Sequence, residues 1–247
     1  MKKAALVLFT LMLTLTWTSC EEFTDITDVL TNAEVIEGLR SALTVGTDTS
    51  VTTVSALNGY YQDALIKILL PPEAEIIQSY LTLIPFGDQL WEETVMRINR
   101  AAEDAATEAK PIFLNAITGM TIDDGWAILN GEDTAATGYL IEKTYTDLST
   151  LFQPKIKTSL DKPLIGGVST NESWGSLTTY YNDLVVNTLV GQLAGLTEVN
   201  SELDGYVTER ALNGLFIKVA DEEKAIRTDP LARVNDILDK VFSSLDE

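Results

Sequence analysis

Asn99, Arg100 and Glu103 are the side chains best placed to act together, because they fall within about one helical turn. Asn99 and Glu103 are four residues apart and so lie on one side of a helix. Around them run Ala101, Ala102, Ala105, Ala106 and Ala109. An alanine face lets a neighbouring helix approach to the near end of the usual 8–10 Å spacing. Polar groups on such a helix form either a cluster inside the bundle or an Arg–Glu pair on its rim. Asp124 and Asp133, on the elements that follow, are the acids expected to reach Arg100.

Three other polar groupings carry a functional and a structural reading each. Asn130-Gly131-Glu132-Asp133-Thr134 could bind a cation or a polar ligand with two acids, a hydroxyl and free N–H groups. The same five residues read more simply as a glycine helix stop followed by an Asp133 or Thr134 helix cap. Asp123 and Asp124 could be paired carboxylates, but adjacent helical residues point apart, and acids at a helix start complement its dipole. Tyr180 and Tyr181 could form a stacking platform or be core residues with a wet hydroxyl.

What is missing narrows the chemistry further. The chain has no histidine and one cysteine, Cys20. No Ser-His-Asp triad, Cys-His pair or histidine zinc site can be built, and a general base near neutral pH would have to be a perturbed carboxylate, lysine or tyrosine. No cofactor and no metal are expected. The 37 acids against 17 basic residues give a formal charge of −20, which repels nucleic acid.

The elements that must carry these residues read as helices almost throughout. Ile36, Leu39, Leu43, Gly46, Ser50, Val54 and Leu57 step by three or four, and Asn58-Gly59 stops that helix. Pro71-Pro72 opens a helix expected over 73–83. Trp91, Val95, Ile98, Ala102, Ala105 and Ala109 form the longest pattern, which Pro111 should kink or break. Thr121 with Asp124 is a capping-box variant opening a helix that ends at Asn130-Gly131. Ile141, Tyr145, Leu148, Phe152 and Ile156 face the core from the next one. Helices follow over 174–196 and 203–227, and a last one from Pro230 packs Val234, Ile237, Leu238, Val241 and Phe242. The run Val51 to Val54 is β-branched, but the helical period passes through it. The expectation is a single all-α, bundle-like domain of about eight or nine helices over residues 31–247.

The N-terminus gives an address. Lys2-Lys3, an apolar stretch from Ala4 to Trp17, and Thr18-Ser19 before Cys20 follow the order of a secretory signal. A lone thiol at that point resembles the lipobox of bacterial lipoproteins, although Trp17 stands where the lipobox usually has leucine. The resemblance implies cleavage after Ser19, acylation of Cys20, and a lipid-tethered chain with residues 1–19 as leader and 20–30 as acidic tether. Removing a leader that carries only Lys2 and Lys3 leaves 228 residues with a charge of −22. The membrane is thus the expected partner, reached through the lipid on Cys20, with the outer membrane as the expected site. Glu21-Glu22 resembles the acidic stretch that sends some lipoproteins to the cell surface, and whether this chain faces the periplasm or the outside stays open.

Several segments together resemble one family. They include Gly38-Leu39-Arg40-Ser41-Ala42-Leu43, Leu70-Pro71-Pro72-Glu73, Ile98-Asn99-Arg100-Ala101-Ala102-Glu103-Asp104-Ala105 and Ala109-Lys110-Pro111-Ile112-Phe113. Met120-Thr121-Ile122-Asp123-Asp124, Tyr180-Tyr181-Asn182-Asp183 and Ala211-Leu212-Asn213-Gly214-Leu215-Phe216 belong to the same set, with Leu65-Ile66-Lys67-Ile68, Ile128-Leu129-Asn130-Gly131, Asp133-Thr134-Ala135-Ala136-Thr137 and Tyr206-Val207-Thr208. They resemble the domain of unknown function 4197 family, exported bacterial proteins, from about Val35 to the C-terminus. The resemblance implies a helical exported domain and no reaction.

Three function classes follow. A non-catalytic binding or interaction module needs none of the missing residues. A helical pocket for a small apolar or lipid ligand would need a cavity lined by side chains such as Trp91, Phe113, Tyr145 and Phe216. A carboxylate- or metal-dependent hydrolase would need clustered buried acids.

Overall fold

Several of the described helices start or stop for reasons that can be read locally. The computed structural model describes residues 30–75, 87–163, 167–193, 195 and 198–246. The leader, Cys20 and all but the last residue of the tether lie outside the described residues, as do residues 76–83 of the helix expected over 73–83.

Helix α1 (Asn32–Ser55) opens with a capping box in which Thr31 and Glu34 satisfy each other's backbone N–H groups. It ends at Ser55, where Ala56 turns extended, three residues before the expected stop; Asn58, with a left-handed φ of 70°, lies in the turn that follows. Pro72–Ala74 is one 3₁₀ turn. Helix α2 (Gly87–Ala106) and helix α3 (Ala109–Thr118) divide the long alanine pattern between them. The break comes just before Pro111, which sits in the first turn of α3, where its missing N–H leaves no bond unmade. Helix α4 (Ile122–Leu129) has the expected Thr121–Asp124 capping box.

Helix α5 (Ala135–Leu160) runs straight through Pro154. A proline there removes one backbone bond, but Pro154 and Thr150, whose carbonyl loses its partner, are both exposed to solvent. Helix α6 (Thr170–Tyr181) passes into a π-turn at Asn182–Val186 and then the short α7 (Leu189–Leu193), so the helix expected over 174–196 is broken. Helix α8 (Leu203–Thr228) is followed by a 3₁₀ turn at Pro230–Ala232 and helix α9 (Asp236–Phe242). Among the described residues there are nine α-helices and no strand. None of the described helices is long and apolar enough to cross a membrane.

The residues from Thr31 onward form one unit. In it α5 packs against α2 and α8, while α1 packs against α8 and α9. The alanine face does what its residue size allows: Ala101, Ala102, Ala105 and Ala106 are all fully buried. Gly38 serves the same purpose on α1, because a Cβ there would meet Val241 of α9 at 2.5 Å. The core face of α5 is Leu140, Thr144, Leu148, Phe152 and Ile156. Ile141, expected on that face, is exposed, since the period that fits the three buried C-terminal positions places Leu140 inward instead. Val234, expected in the last helix, is likewise exposed, because it precedes that helix in the turn after Arg233.

Candidate functional site

The cluster expected on α2 forms, and its purpose is to hold a piece of irregular chain. Residues 56–71, here called the strap, leave α1 and run along the groove between α2 and α8. Asn99, fully buried, binds the strap at one residue: its Oδ1 accepts from the Ile68 N–H at 2.9 Å, and its Nδ2 donates to the Ile68 carbonyl at 2.7 Å. One turn on, the buried Glu103 carboxylate accepts from the backbone N–H groups of Tyr60 at 3.3 Å and Tyr61 at 3.4 Å. Arg100 closes the arrangement. It donates to Glu103 at 2.5 Å and to the Asn58 side-chain oxygen at 2.6 Å.

The opposite wall is α8, and from Asp63 to Leu69 the strap runs antiparallel to it. The Asp63 carboxylate meets Lys218 at 2.7 Å. Ile66 and Tyr60 lie over Gly214, where a Cβ would come within 2.8 Å of the Tyr60 ring. The Tyr60 hydroxyl donates to the Ala211 carbonyl at 2.7 Å, and the Tyr206 hydroxyl donates to the Leu69 carbonyl at 3.1 Å. Burial, reinforced by the Glu103 charge, pushes the Tyr60 phenol well above its ordinary pKa. The bond from Lys218 holds the Asp63 carboxyl below the usual carboxylate range. At the outer rim Tyr61 donates to Glu92, and Lys67 sits over the Tyr61 ring, 4.2 Å from its centroid.

Asn99, Arg100 and Glu103 are therefore brought together, but the other residues expected with them are not. Arg100 has Glu103 and Asn58 as its partners, and neither Asp124 nor Asp133 reaches it. Asp124 is spent on the α4 cap, where the Thr121 backbone N–H and hydroxyl lower its pKa. Asp133 is exposed, and Thr134, though at the cap position of α5, makes no side-chain cap bond. Tyr181 is half-buried, and the Tyr180 side chain is outside the described residues. Of the four aromatics proposed as pocket lining, three pack directly on one another: Phe113 meets Phe216 edge-on at 5.9 Å, and Tyr145 stacks on Phe216 at 6.4 Å.

The cap of α5 comes from a residue that the sequence did not single out. Glu223 of α8 accepts from the N–H groups of Ala136 and Thr137 and from the Thr137 hydroxyl. Arg227, one turn further, donates to Glu223 at 3.0 Å and to the Ile128 carbonyl at 2.7 Å, so it covers the end of α4. This pair joins the negative end of one helix to the positive end of the next, the placement that helix dipoles favour. The only sequence signal was an acid and a base four apart on a strong helix, a pattern that most often marks a solvated face. Beside the pair lies a void of about 20 Å³, lined also by Leu39, Leu43, Val219 and Phe242, which has room for about one water molecule.

Glu103, Glu223 and Arg227 thus bind backbone directly, and Arg100 and Lys218 pair with side chains beside them. Among the described residues no three acids or cysteines are grouped so as to hold a metal ion. A family model described as "Protein of unknown function (DUF4197)" matches residues 29–243. No curated protein and no solved structure matches the chain.

Proposed function

The chain belongs to the DUF4197 family of proteins of unknown function, and we propose that it works as an envelope-anchored, non-catalytic interaction module whose binding element is the strap. The observation that carries this reading is the way the strap is held. Two buried side chains of α2 and two polar contacts from α8 fix a segment that has no helix of its own. Segments held rigid on a helical scaffold while facing solvent are where binding residues concentrate. Pre-ordering a binding segment also lowers the entropy cost of association.

The address comes from the leader and Cys20, with lipid on the thiol and the domain outside the inner membrane. The helical-pocket reading has less support, because Phe113, Tyr145 and Phe216 pack on one another rather than line a cavity. The hydrolase reading has less support too, because among the described residues no three acids group as a metal site would need.

Two measurements test the proposal. Cys20→Ala should move the protein out of the detergent phase in a phase-partition assay, and equal partition of variant and parent would remove the anchor. Native mass spectrometry of the protein extracted from its own host should show an added protein mass and no stoichiometric small molecule. A bound small apolar ligand in its place would favour the pocket.

A further inference from the structure

We propose that the cleft beside Arg40, at the start of α1, docks on the head groups of zwitterionic phospholipids in the membrane that holds the anchor. The inference rests on the lipid anchor of the proposed function and adds a second contact with the same membrane. Arg40 is half-buried and fixed: its Nη2 donates to the Thr118 carbonyl at 3.0 Å and to the Met120 carbonyl at 2.9 Å. Its Nη1 makes no hydrogen bond, and no carboxylate pairs with it. Among the described residues, its Nε is the buried side-chain polar atom that has no partner. Arg210 and Lys224 have no ion pair either, but both are exposed, so water serves them. Water does not reach the Arg40 Nε, and a bound anion supplies the countercharge that the chain omits.

The cleft has a volume of about 600 Å³ and is lined also by Asn32, Ala33, Ile36, Glu37 and Ile122. Glu37 is exposed and makes no hydrogen bond or ion pair. The cleft therefore offers one cation and one acid that do not neutralise each other, beside two isoleucines. Ile122 is 49% exposed, apolar surface that the domain leaves in water. A guanidinium fits phosphate oxygens. A phosphoethanolamine or phosphocholine head group carries a phosphate for Arg40 and an ammonium for Glu37, with acyl chains beneath for the isoleucines.

Charge and position select this occupant. With 37 acids against 17 basic residues the chain repels anionic lipid, whereas a zwitterionic surface has no net charge to oppose it. The tether of residues 20–30 ends directly before Thr31 and spans at most about 36–40 Å when extended. The first turns of α1 are thus held within a tether's length of the bilayer. Helix α1 has 24 residues and is about 36 Å long, so Leu57, Leu65 and Leu69, past its other end, have no such restriction.

The experiment uses the full chain, as the producing cell makes it, reconstituted in vesicles of phosphatidylethanolamine and phosphatidylcholine. Ala33→Cys is labelled with a maleimide fluorophore, and lipids bearing a nitroxide serve as quenchers. Leu57→Cys and Leu189→Cys, at positions 77% and 73% exposed, carry the same label as controls. The expected result is quenching of the residue-33 label several-fold above both controls. Arg40→Gln and Ile122→Asp, each made in the labelled chain, should lower it to the control level. Adding phosphatidylglycerol should lower it too, and Glu37→Lys, a change at an exposed and unpaired residue, should reverse that dependence on lipid charge. Quenching at residue 33 no higher than at the controls overturns the proposal. So does quenching that neither Ile122→Asp nor Glu37→Lys alters. In both cases the lipid on Cys20 still holds the chain on the vesicles, and the anchor stands. A chain that leaves the vesicles, with a Cys20 thiol that takes the maleimide, removes the anchor and the docking with it.

Discussion

The Asn99 amide and the Ile68 peptide group close a ring of two hydrogen bonds across 31 residues of chain, at 2.9 and 2.7 Å. Both partners are buried. The same amide nitrogen also donates to the Val95 carbonyl of its own helix at 2.7 Å.

Asn99→Leu keeps the size of the side chain and removes the ring. It leaves a buried N–H and a buried carbonyl unpaired, which should cost about 2–4 kcal/mol at roughly 1–3 kcal/mol per group. Urea unfolding followed by circular dichroism measures it, and a loss below about 1 kcal/mol would mean that water replaces the amide.

Arg100→Ala removes the cation from a carboxylate that is almost fully buried, but Arg100 itself is 27% exposed. Two backbone N–H groups still serve Glu103 in the variant. The expected loss of about 1–2 kcal/mol therefore falls between an exposed pair and a buried one. Glu103→Gln in the same background should cost less than it does alone, because the two residues are coupled.

Arg227→Met leaves the Glu223 carboxylate buried without its cation, and should cost about 3–5 kcal/mol. The double variant with Glu223→Gln should recover part of that loss, since the uncompensated charge is gone. Additive losses in thermal unfolding would show that the pair is not coupled.

The Glu34 carboxyl, bonded by Lys240 and by the Thr31 cap, is held down to about 2. A carboxyl with a depressed folded pKa contributes stability above its ordinary pKa and loses it as pH falls through the folded value. The stability difference between the parent and Glu34→Gln should therefore be full at pH 7, shrink from about pH 4.5 downward, and vanish near pH 2. A difference that is the same at pH 7 and pH 2.5 would contradict it.

Tyr60 contributes with the opposite sign. Burial raises its phenol, so its contribution is present below the ordinary value of 10 and is lost as the pH climbs above it. Tyr60→Phe should cost about 1–2 kcal/mol at neutral pH through the lost bond to Ala211, and should flatten the decline above pH 10.

Much of the fold was legible because it depends on neighbours in sequence. The Thr121–Asp124 box and the alanine face of α2 are both local devices. The α2 cluster was legible for the same reason: three polar residues interrupt a face otherwise made for close packing. What they bind was not, because the partners of Glu103 lie more than 40 residues upstream and carry no mark beyond ordinary backbone N–H groups. Asp124 was misassigned to Arg100 because one acid was given two tasks, and the cap three residues away is nearer than any tertiary partner. Glu223 and Arg227 escaped notice because periodicity cannot distinguish a helix face that meets two other helix ends from one that meets water.

Asn182, at the π-turn, repeats what Asn99 does. Its Oδ1 accepts from the Val199 N–H at 2.9 Å and its Nδ2 donates to the Val199 carbonyl at 2.9 Å. Two lengths of coil are thus each gripped at a single peptide by an amide that mimics the edge of a neighbouring strand. Such a grip reads phase. One residue of slippage would present the amide with a peptide facing the other way, and would turn Ile68 or Val199 out of the core. Insertions on either side of Ile68 or Val199 can be looped out, whereas a shift through either residue cannot. Their amide protons should accordingly exchange with deuterium as slowly as those of the helices around them, as should the Tyr60 N–H that the buried Glu103 holds.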